Sequence, residues 1–176
     1  FDVNIDLPIW LEKKVSCNII HPGTDCEIDN DDYGNSKRIA SEYILNNGSK
    51  TKIIKTSIIG YELNSNASLL EWFLNVKDKE INGYAGYYWN GNTTLQWAKI
   101  CYNIMCEFDK YDVLNIPSTE CISKYDLLEI IKDIYKKNIM INKNFNLKIN
   151  KCLIGNINVP DIKEQLIEMK NFVYDN

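Results

Sequence analysis

The sequence predicts an α/β fold built on a parallel sheet covered on both faces by helices, and three observations predict it. The runs VSCNIIH (15–21) and KIIKTSIIG (52–60) read as short buried strands, the second β-branched and bounded by Gly60. A helix-patterned stretch, 33–46, lies between them, and strand–helix–strand with apolar strands implies parallel pairing. Of the 176 residues, 45% are hydrophobic and 25% charged, which suffices for a real core and excludes a disordered chain.

Each element follows from local pattern. Residues 2–14 set Val3, Leu7, Trp10 and Leu11 at helical spacing, with Asp2 near the start. The strand at 15–21 ends at a Pro22-Gly23 turn. Asp31 or Asp32 caps the helix over 33–46, which stops at Asn47-Gly48. Beyond 52–60, Ser68-Leu-Leu-Glu71 has the capping-box pattern and predicts a helix over 67–76. Residues 79–91 are aromatic and glycine-rich, a strand plus loop whose Tyr84–Trp89 cluster reads as core and rim. A helix then places Thr94, Trp97, Ala98, Cys101, Ile104, Met105 and Phe108 on one face. VLNI at 113–116 is a short strand. Ser123-Lys-Tyr-Asp126 caps a helix with the stripe Leu127, Leu128, Ile131, Ile134 and Tyr135. Residues 139–158 are polar and Asn-rich, with weak strand or loop character. Pro160 suits the first turn of a last helix, with Ile162, Leu166, Met169 and Val173 inward. There is no internal repeat and no long linker.

Composition excludes several functions. No run of 18 apolar residues occurs, so no helix is expected to span a membrane. A pI near 5.1 argues against nucleic-acid binding, and Arg38 is the only arginine, so arginine clamps on phosphate are nearly absent. Six scattered cysteines without a CxxC pair, and a single histidine, His21, give no support for a metal site. They read as reduced, mostly buried thiols of a cytoplasmic protein. The chain begins at Phe1 without a Met or a signal segment, as a processed protein or a fragment does.

Chemistry concentrates at Tyr33-Gly34-Asn35-Ser36-Lys37. Residues four apart share a helical face, so phenol and ammonium point the same way, and a neighbouring Lys⁺ is expected to lower the tyrosine pKa. By itself the pattern is weak, and a chance Y-x-x-x-K on a solvated helix face is its default reading. Thr24-Asp25, just past the first strand, adds context, because open α/β sheets bind ligands at the carboxyl ends of their strands.

These residues resemble the extended short-chain dehydrogenase/reductases, and most closely their sugar-nucleotide branch. IIHPGTDCE resembles the strand ending in S-T-D-x-V-F, and YGNSKRIASE the Y-G-x-S-K-x-x-x-E helix, with Glu42 in place. KIIKTSIIGYEL resembles the next strand, where Lys55 stands for the usual arginine. NGNTTLQWAKI resembles the G-x-T-T element, ISKYDLLEII a later segment, and Asn4 falls where the family has an asparagine one helix before the catalytic strand. The match runs in order from about residue 3 to 173.

The resemblance implies the second half of a Rossmann-like parallel sheet, residues 1–62, with a small, mostly helical substrate-binding portion, 63–176, interleaved with it. It implies NAD(P)-dependent reduction of a keto group on a nucleotide-linked sugar. Tyr33 is then the proton donor, Lys37 the residue holding the nicotinamide ribose, and Thr24 a hydrogen-bond donor to the same oxygen, with Asn4 on the cofactor side. Ser57, Glu62, Trp89, Asn90 and Thr93 are weaker substrate-side candidates, for which packing and loop capping compete.

Three departures bear on this. No G-x-x-G-x-x-G occurs, so the element that seats a pyrophosphate on a helix N-terminus is absent from these residues, and with it the choice of NAD or NADP. Only eight residues separate Thr24 from Tyr33, and Gly23 replaces the usual serine. The expectation is a carboxyl-terminal portion of a reductase, inactive by itself. The alternatives are a catalytically inactive α/β remnant acting as a binding or structural module, a sugar-nucleotide epimerase, and a chance likeness. An uncovered strand edge invites association, as a homodimer or through edge pairing.

Overall fold

Apolar strands without side-chain alternation need cover on both faces, and the chain supplies it by returning through helices. The computed structural model describes residues 2–65 and 67–174, with side chains to residue 172. In chain order the first elements are α1 (Asp6–Lys14), β1 (Ile19–Gly23), a 3-10 turn (Asp25–Ile28), α2 (Asp32–Asn47), β2 (Thr51–Lys55) and β3 (Ile58–Ile59). Then come α3 (Leu69–Asn75), β4 (Glu80–Tyr84), β5 (Tyr87–Trp89), β6 (Asn92–Thr93) and α4 (Thr94–Cys106). The remainder is β7 (Leu114–Asn115), β8 (Ile122–Ser123), α5 (Lys124–Tyr135), β9 (Met140–Asn144), β10 (Ile149–Asn150) and α6 (Ile162–Tyr174).

The main sheet has the order β1-β2-β7 and is wholly parallel, with Ile19 opposite Thr51 and Gly23 opposite Lys55. This is the expected βαβ unit, with α2 as its crossover. A second sheet, β10-β5-β8, is mixed, and β3-β6 and β4-β9 are parallel pairs. Ile54 packs with Ile100 and Ile104 of α4. A larger core joins Phe73, Leu127, Ile131, Leu166 and Met169.

Boundaries moved where tertiary partners outweigh local pattern. The first helix starts at Asp6, because the Asp2 side chain takes the amides of Asn4 and Ile5 in a preceding turn. It buries Glu12 and exposes Trp10, since Glu12 accepts from the Ser49 amide at 3.0 Å and from the Thr51 hydroxyl. The first strand starts at Ile19 and keeps Pro22 and Gly23 in register, so no turn forms there. Proline is tolerated because β1 is an edge strand. The run 52–60 divides: after β2 the chain leaves the main sheet at Thr56-Ser57, and β3 pairs with β6. The 79–91 stretch makes β4 and β5, and the polar 139–158 stretch supplies partners to both. Ser68 stands at the N-cap of α3 without a capping bond, and its amide donates to Glu62. On α4 the inward residues are Trp97, Ile100, Cys101 and Ile104, Thr94 reaches the Met169 sulfur of α6 instead, and Ala98 and Met105 face solvent. In α6, Ile162, Leu166 and Met169 are buried, and the side chain of Val173 lies outside the described residues.

The cysteines also depart from expectation. Cys121 and Cys152 form a disulfide with Cα atoms 5.8 Å apart, Cys17 and Cys106 are exposed, and Cys26 and Cys101 are half-buried. The pair is remote in sequence, but β8 and β10 flank β5 in one sheet and bring the two thiols together. Among the described residues no cluster of three or more His, Cys, Asp or Glu could hold a metal, and no helix is long and apolar enough to cross a membrane.

His21 on β1 supplies a stability prediction. It is 7% exposed, and its Nε2 has no partner among the described residues. Burial first, and Lys37 second, lower its pKa from 6.5 to about 4. An unfolded chain takes up this proton near 6.5, whereas the folded chain does so only near 4. The contribution is therefore whole above pH 6.5, declines as pH falls, and is gone below about 4. Its size is about 3 kcal/mol at roughly 1.36 kcal/mol per unit. A His21→Val variant is expected to lose less stability than the wild type between about pH 7 and pH 4 in urea unfolding. Equal acid sensitivity of the two proteins would refute this.

Candidate active site

The carboxyl ends of β1 and β2 open into a cleft of about 460 Å3 lined by Thr24, Asp25, Tyr33, Lys37, Ser57 and Trp97, among others. Thr24 follows β1 directly and caps the 3-10 turn, its Oγ1 accepting from the Cys26 amide at 3.2 Å. Its hydroxyl donates to Asp25 Oδ1 at 3.2 Å. Asp31 caps α2 by accepting from the Gly34 amide at 2.6 Å, which aims the first turn of the helix, with Tyr33, at the end of β1. Gly34 is required by close approach: a Cβ there would fall inside contact distance of the Cys26 carbonyl oxygen. One helical turn on, Lys37 is buried and its Nζ donates to the Pro22 carbonyl at 2.6 Å.

The eight-residue connection between Thr24 and Tyr33 is therefore long enough. The 3-10 turn folds it back, and both side chains line one cleft.

The electrostatics differ from the expectation for Tyr33. Its pKa is raised, by burial first and then by Cys26 and Asp25, while the Thr24 hydroxyl beside it acts in the opposite direction. Lys37 does not reverse this rise. The ammonium is turned to the Pro22 carbonyl, and burial lowers its own pKa against the pull of Glu27. Tyr33 thus stands as a neutral phenol, 51% exposed, suited to giving a proton rather than taking one.

Other predicted site residues are distributed differently. Asn4 lies in a neighbouring cavity of about 330 Å3 that also includes His21 and Lys37. Lys37 stands between the two cavities. Glu62 accepts from Ser65, Ala67 and Ser68, closing its own loop. Trp89 is in the core, Asn90 bonds both the amide and the carbonyl of Leu153, and Thr93 caps α4. None of these four lines the cleft of Thr24 and Tyr33.

Sequence reasoning missed three residues at the site. Trp97, assigned to the core face of its helix, also walls the cleft. Glu27 is buried under the 3-10 turn, where it pairs with Lys55 at 2.7 Å and accepts from the Thr24 amide and the Ser41 hydroxyl. The legible signal was a charge at the position of the valine in S-T-D-x-V-F, together with Lys55 on the next strand. Lys151 pairs with Asp29 beside the turn, across a sequence distance that no local pattern reveals.

Comparison with known proteins gives likeness at the level of structure. No family model matches the chain, and no curated protein matches it. A dTDP-4-dehydrorhamnose reductase from Clostridium acetobutylicum superposes with a TM-score of 0.79 at 16% identity, over 97% of this chain and 72% of that one. The dTDP-4-dehydrorhamnose reductase from Bacillus anthracis, in complex with NADP, does so with 0.76 at 13%, over 97% and 69%. A UDP-N-acetylglucosamine 4-epimerase from Methanobrevibacter ruminantium, in complex with UDP-N-acetylmuramic acid, gives 0.66 at 18%, over 98% and 69%. With its parallel βαβ unit and its cleft at the strand ends, this chain therefore has the fold of the dTDP-4-dehydrorhamnose reductases and related sugar-nucleotide enzymes of the extended short-chain dehydrogenase/reductase type.

Proposed function

We propose that the cleft carries out proton transfer in the NAD(P)-dependent reduction of a keto group on a nucleotide-linked sugar. The observation that carries this is the convergence of Thr24, Tyr33 and Lys37 on one cleft at the carboxyl ends of parallel strands. A nicotinamide cofactor, when bound, supplies the hydride. Tyr33 gives its phenolic proton to the keto oxygen as the carbon is reduced, and Thr24 orients that oxygen by turning its hydroxyl from Asp25.

The residues fit the nicotinamide-ribose end of such a cofactor. Lys37 uses one N–H on the Pro22 carbonyl, and its other two have no acceptor among the described residues, at the border of the two cavities. Those donors suit ribose hydroxyls, and Asn4 lies across the second cavity. The pyrophosphate end is assigned to no residue, since no G-x-x-G-x-x-G turn occurs in this sequence.

Reduction and epimerisation would draw on the same pair, Tyr33 and Lys37. NADPH and NADH titrated separately into the protein, with a nucleotide-linked sugar present, are expected to give a saturable change in nicotinamide fluorescence for at least one of them. Lys37→Met is expected to weaken it about 10-fold or more, the effect of losing hydrogen bonds from a charged donor. No saturable change with either cofactor would favour the non-catalytic reading, a binding or structural module that keeps the fold.

A further inference from the structure

Cys121 and Cys152 close a strap around the end of β5. The register sets Ile122 opposite Trp89 and Asn150 opposite Tyr88, with β8 and β10 on the two sides of β5. β5 ends at Trp89, and both cysteines lie just past that end, where the two outer chains can meet. The segment they close holds α5 and β9, whose Leu127, Leu128, Ile131 and Ile141 belong to the larger core. That packing holds the fold by itself, so the sulfur bond is expected to be dispensable for folding. Cys121 is exposed, which opens the bond to a reductant. Exposed disulfides are the labile and regulatory ones, in contrast to those sealed in a core.

Lys151 adjoins Cys152, and its amide donates to the Tyr88 carbonyl at 3.0 Å. Its side chain crosses to the main-sheet unit and pairs with Asp29, leaving Lys151 only 8% exposed. Asp29 ends the 3-10 turn, its amide donating to the Cys26 carbonyl at 2.9 Å. The Asp29 carbonyl oxygen lies 3.0 Å from where a Cβ on Gly34 would stand. Asp29 is therefore packed against the first turn of α2, beside Tyr33. A continuous run of contacts thus joins the sulfur bond, through Lys151 and Asp29, to the wall of the cleft. A long lysine side chain regains rotamer freedom once its backbone moves, so the ion pair holds only while residue 151 is fixed.

We propose that Cys121 and Cys152 form a reversible dithiol–disulfide site, whose oxidation clamps Lys151 on Asp29 and so fixes the cleft wall ahead of α2. The reductant is a dithiol. Its thiolate attacks the exposed Cys121 sulfur, and Cys152 leaves as a thiolate and takes a proton. The second thiol of the reductant then displaces Cys121. Two electrons pass to the protein, which ends with two thiols, and the reductant ends as a disulfide.

Amide exchange, followed by NMR in oxidised and dithiothreitol-reduced protein, tests this. Thiol titration of the unfolded chain first defines the two states, with four of the six cysteines reacting before reduction and all six after. Reduction is expected to speed exchange at Lys151 and Leu153, and at Asp29 and Gly34 across the ion pair, by about 10-fold or more, while α5 keeps its protection. Faster exchange confined to 151–153 overturns the link to the cleft. Unchanged exchange throughout, or six reactive thiols before reduction, overturns the site itself. Lost protection in α5 as well overturns it too, because the bond is then a brace for the whole fold. Lys151→Met, with the sulfur bond intact, is expected to release Asp29 and Gly34, and protection kept at both overturns the route through Lys151. The Cys121→Ser, Cys152→Ser double variant is expected to match the reduced protein and to ignore dithiothreitol. A response there traces the effect to another cysteine and overturns the assignment. These readouts need no turnover, so they stand apart from the reaction proposed for the cleft.

Discussion

Replacing Tyr33 with phenylalanine is expected to lower whatever keto-sugar reduction the protein supports by about 10²- to 10⁴-fold, the range a positioned general acid supplies. The substitution removes one oxygen from a side chain that is half exposed at the mouth of the cleft, so stability should stay within about 0.5 kcal/mol of wild type. The loss belongs in kcat, because the phenol acts on the oxygen as charge develops there. The direction of the Tyr33 pKa shift adds a second readout. Burial and the acidic neighbours Cys26 and Asp25 hold the phenol protonated beyond its ordinary pKa of 10, so the acid form persists throughout the neutral range. Reduction should therefore show no basic limb from this group below about pH 10. Steady-state assays of NAD(P)H oxidation against a nucleotide-linked keto sugar would check both points. Retained turnover in the Tyr33→Phe protein removes the role assigned to this residue.

The second large effect concerns Glu27. Its side chain is 2% exposed and has three partners: the Lys55 ammonium at 2.7 Å, the Ser41 hydroxyl at 3.0 Å and the Thr24 amide at 3.1 Å. It thereby joins the 3-10 turn to β2 and α2, and fixes where Thr24 stands. Glu27→Ala leaves a mostly buried ammonium, a hydroxyl and an amide without their acceptor. Removing one partner of a buried pair costs about 3–5 kcal/mol, and urea unfolding of this variant should register a loss of that size. A Glu27→Met, Lys55→Met double variant should recover much of it, because well-packed apolar residues replace buried ion pairs at little net cost. A loss below about 1 kcal/mol in the single variant would show that the pair does not hold the turn.

How much of this was legible in the sequence depended on range. Asp31, Thr93 and Ser123 cap their helices by accepting from amides three positions on, so capping is readable from neighbours alone. Thr93 was singled out as a substrate-side residue, yet its use is local: it closes the N-terminus of α4. The face of α4 was nearly right, but Ala98 and Met105 turned outward. Periodicity defines a stripe about 100° wide, and only the neighbours, here Ile54 and the main sheet, choose its centre. The Asn-rich stretch at 139–158 had little intrinsic strand signal. It becomes strand because β4 and β5 offer open edges to pair with.

The sequence by itself determined the α/β class, the βαβ unit, most helix starts, and the order Thr24, Tyr33, Lys37 along the chain. Those features follow from spacings of a few residues, within which hydrophobic period and capping chemistry act. Only the tertiary structure decided that these three side chains share one cleft, that Glu27 pairs with Lys55 beneath it, and that Cys121 meets Cys152 across 31 residues. It also decided that Gln165 reaches 72 residues back to the Thr93 amide. Such pairings depend on how sheets stack and which edges meet. Burial then shifts the titrating groups: Lys37 and Tyr33 share a helical face as the spacing requires, yet desolvation, which no spacing shows, moves the pKa of each, and the Pro22 carbonyl takes the ammonium.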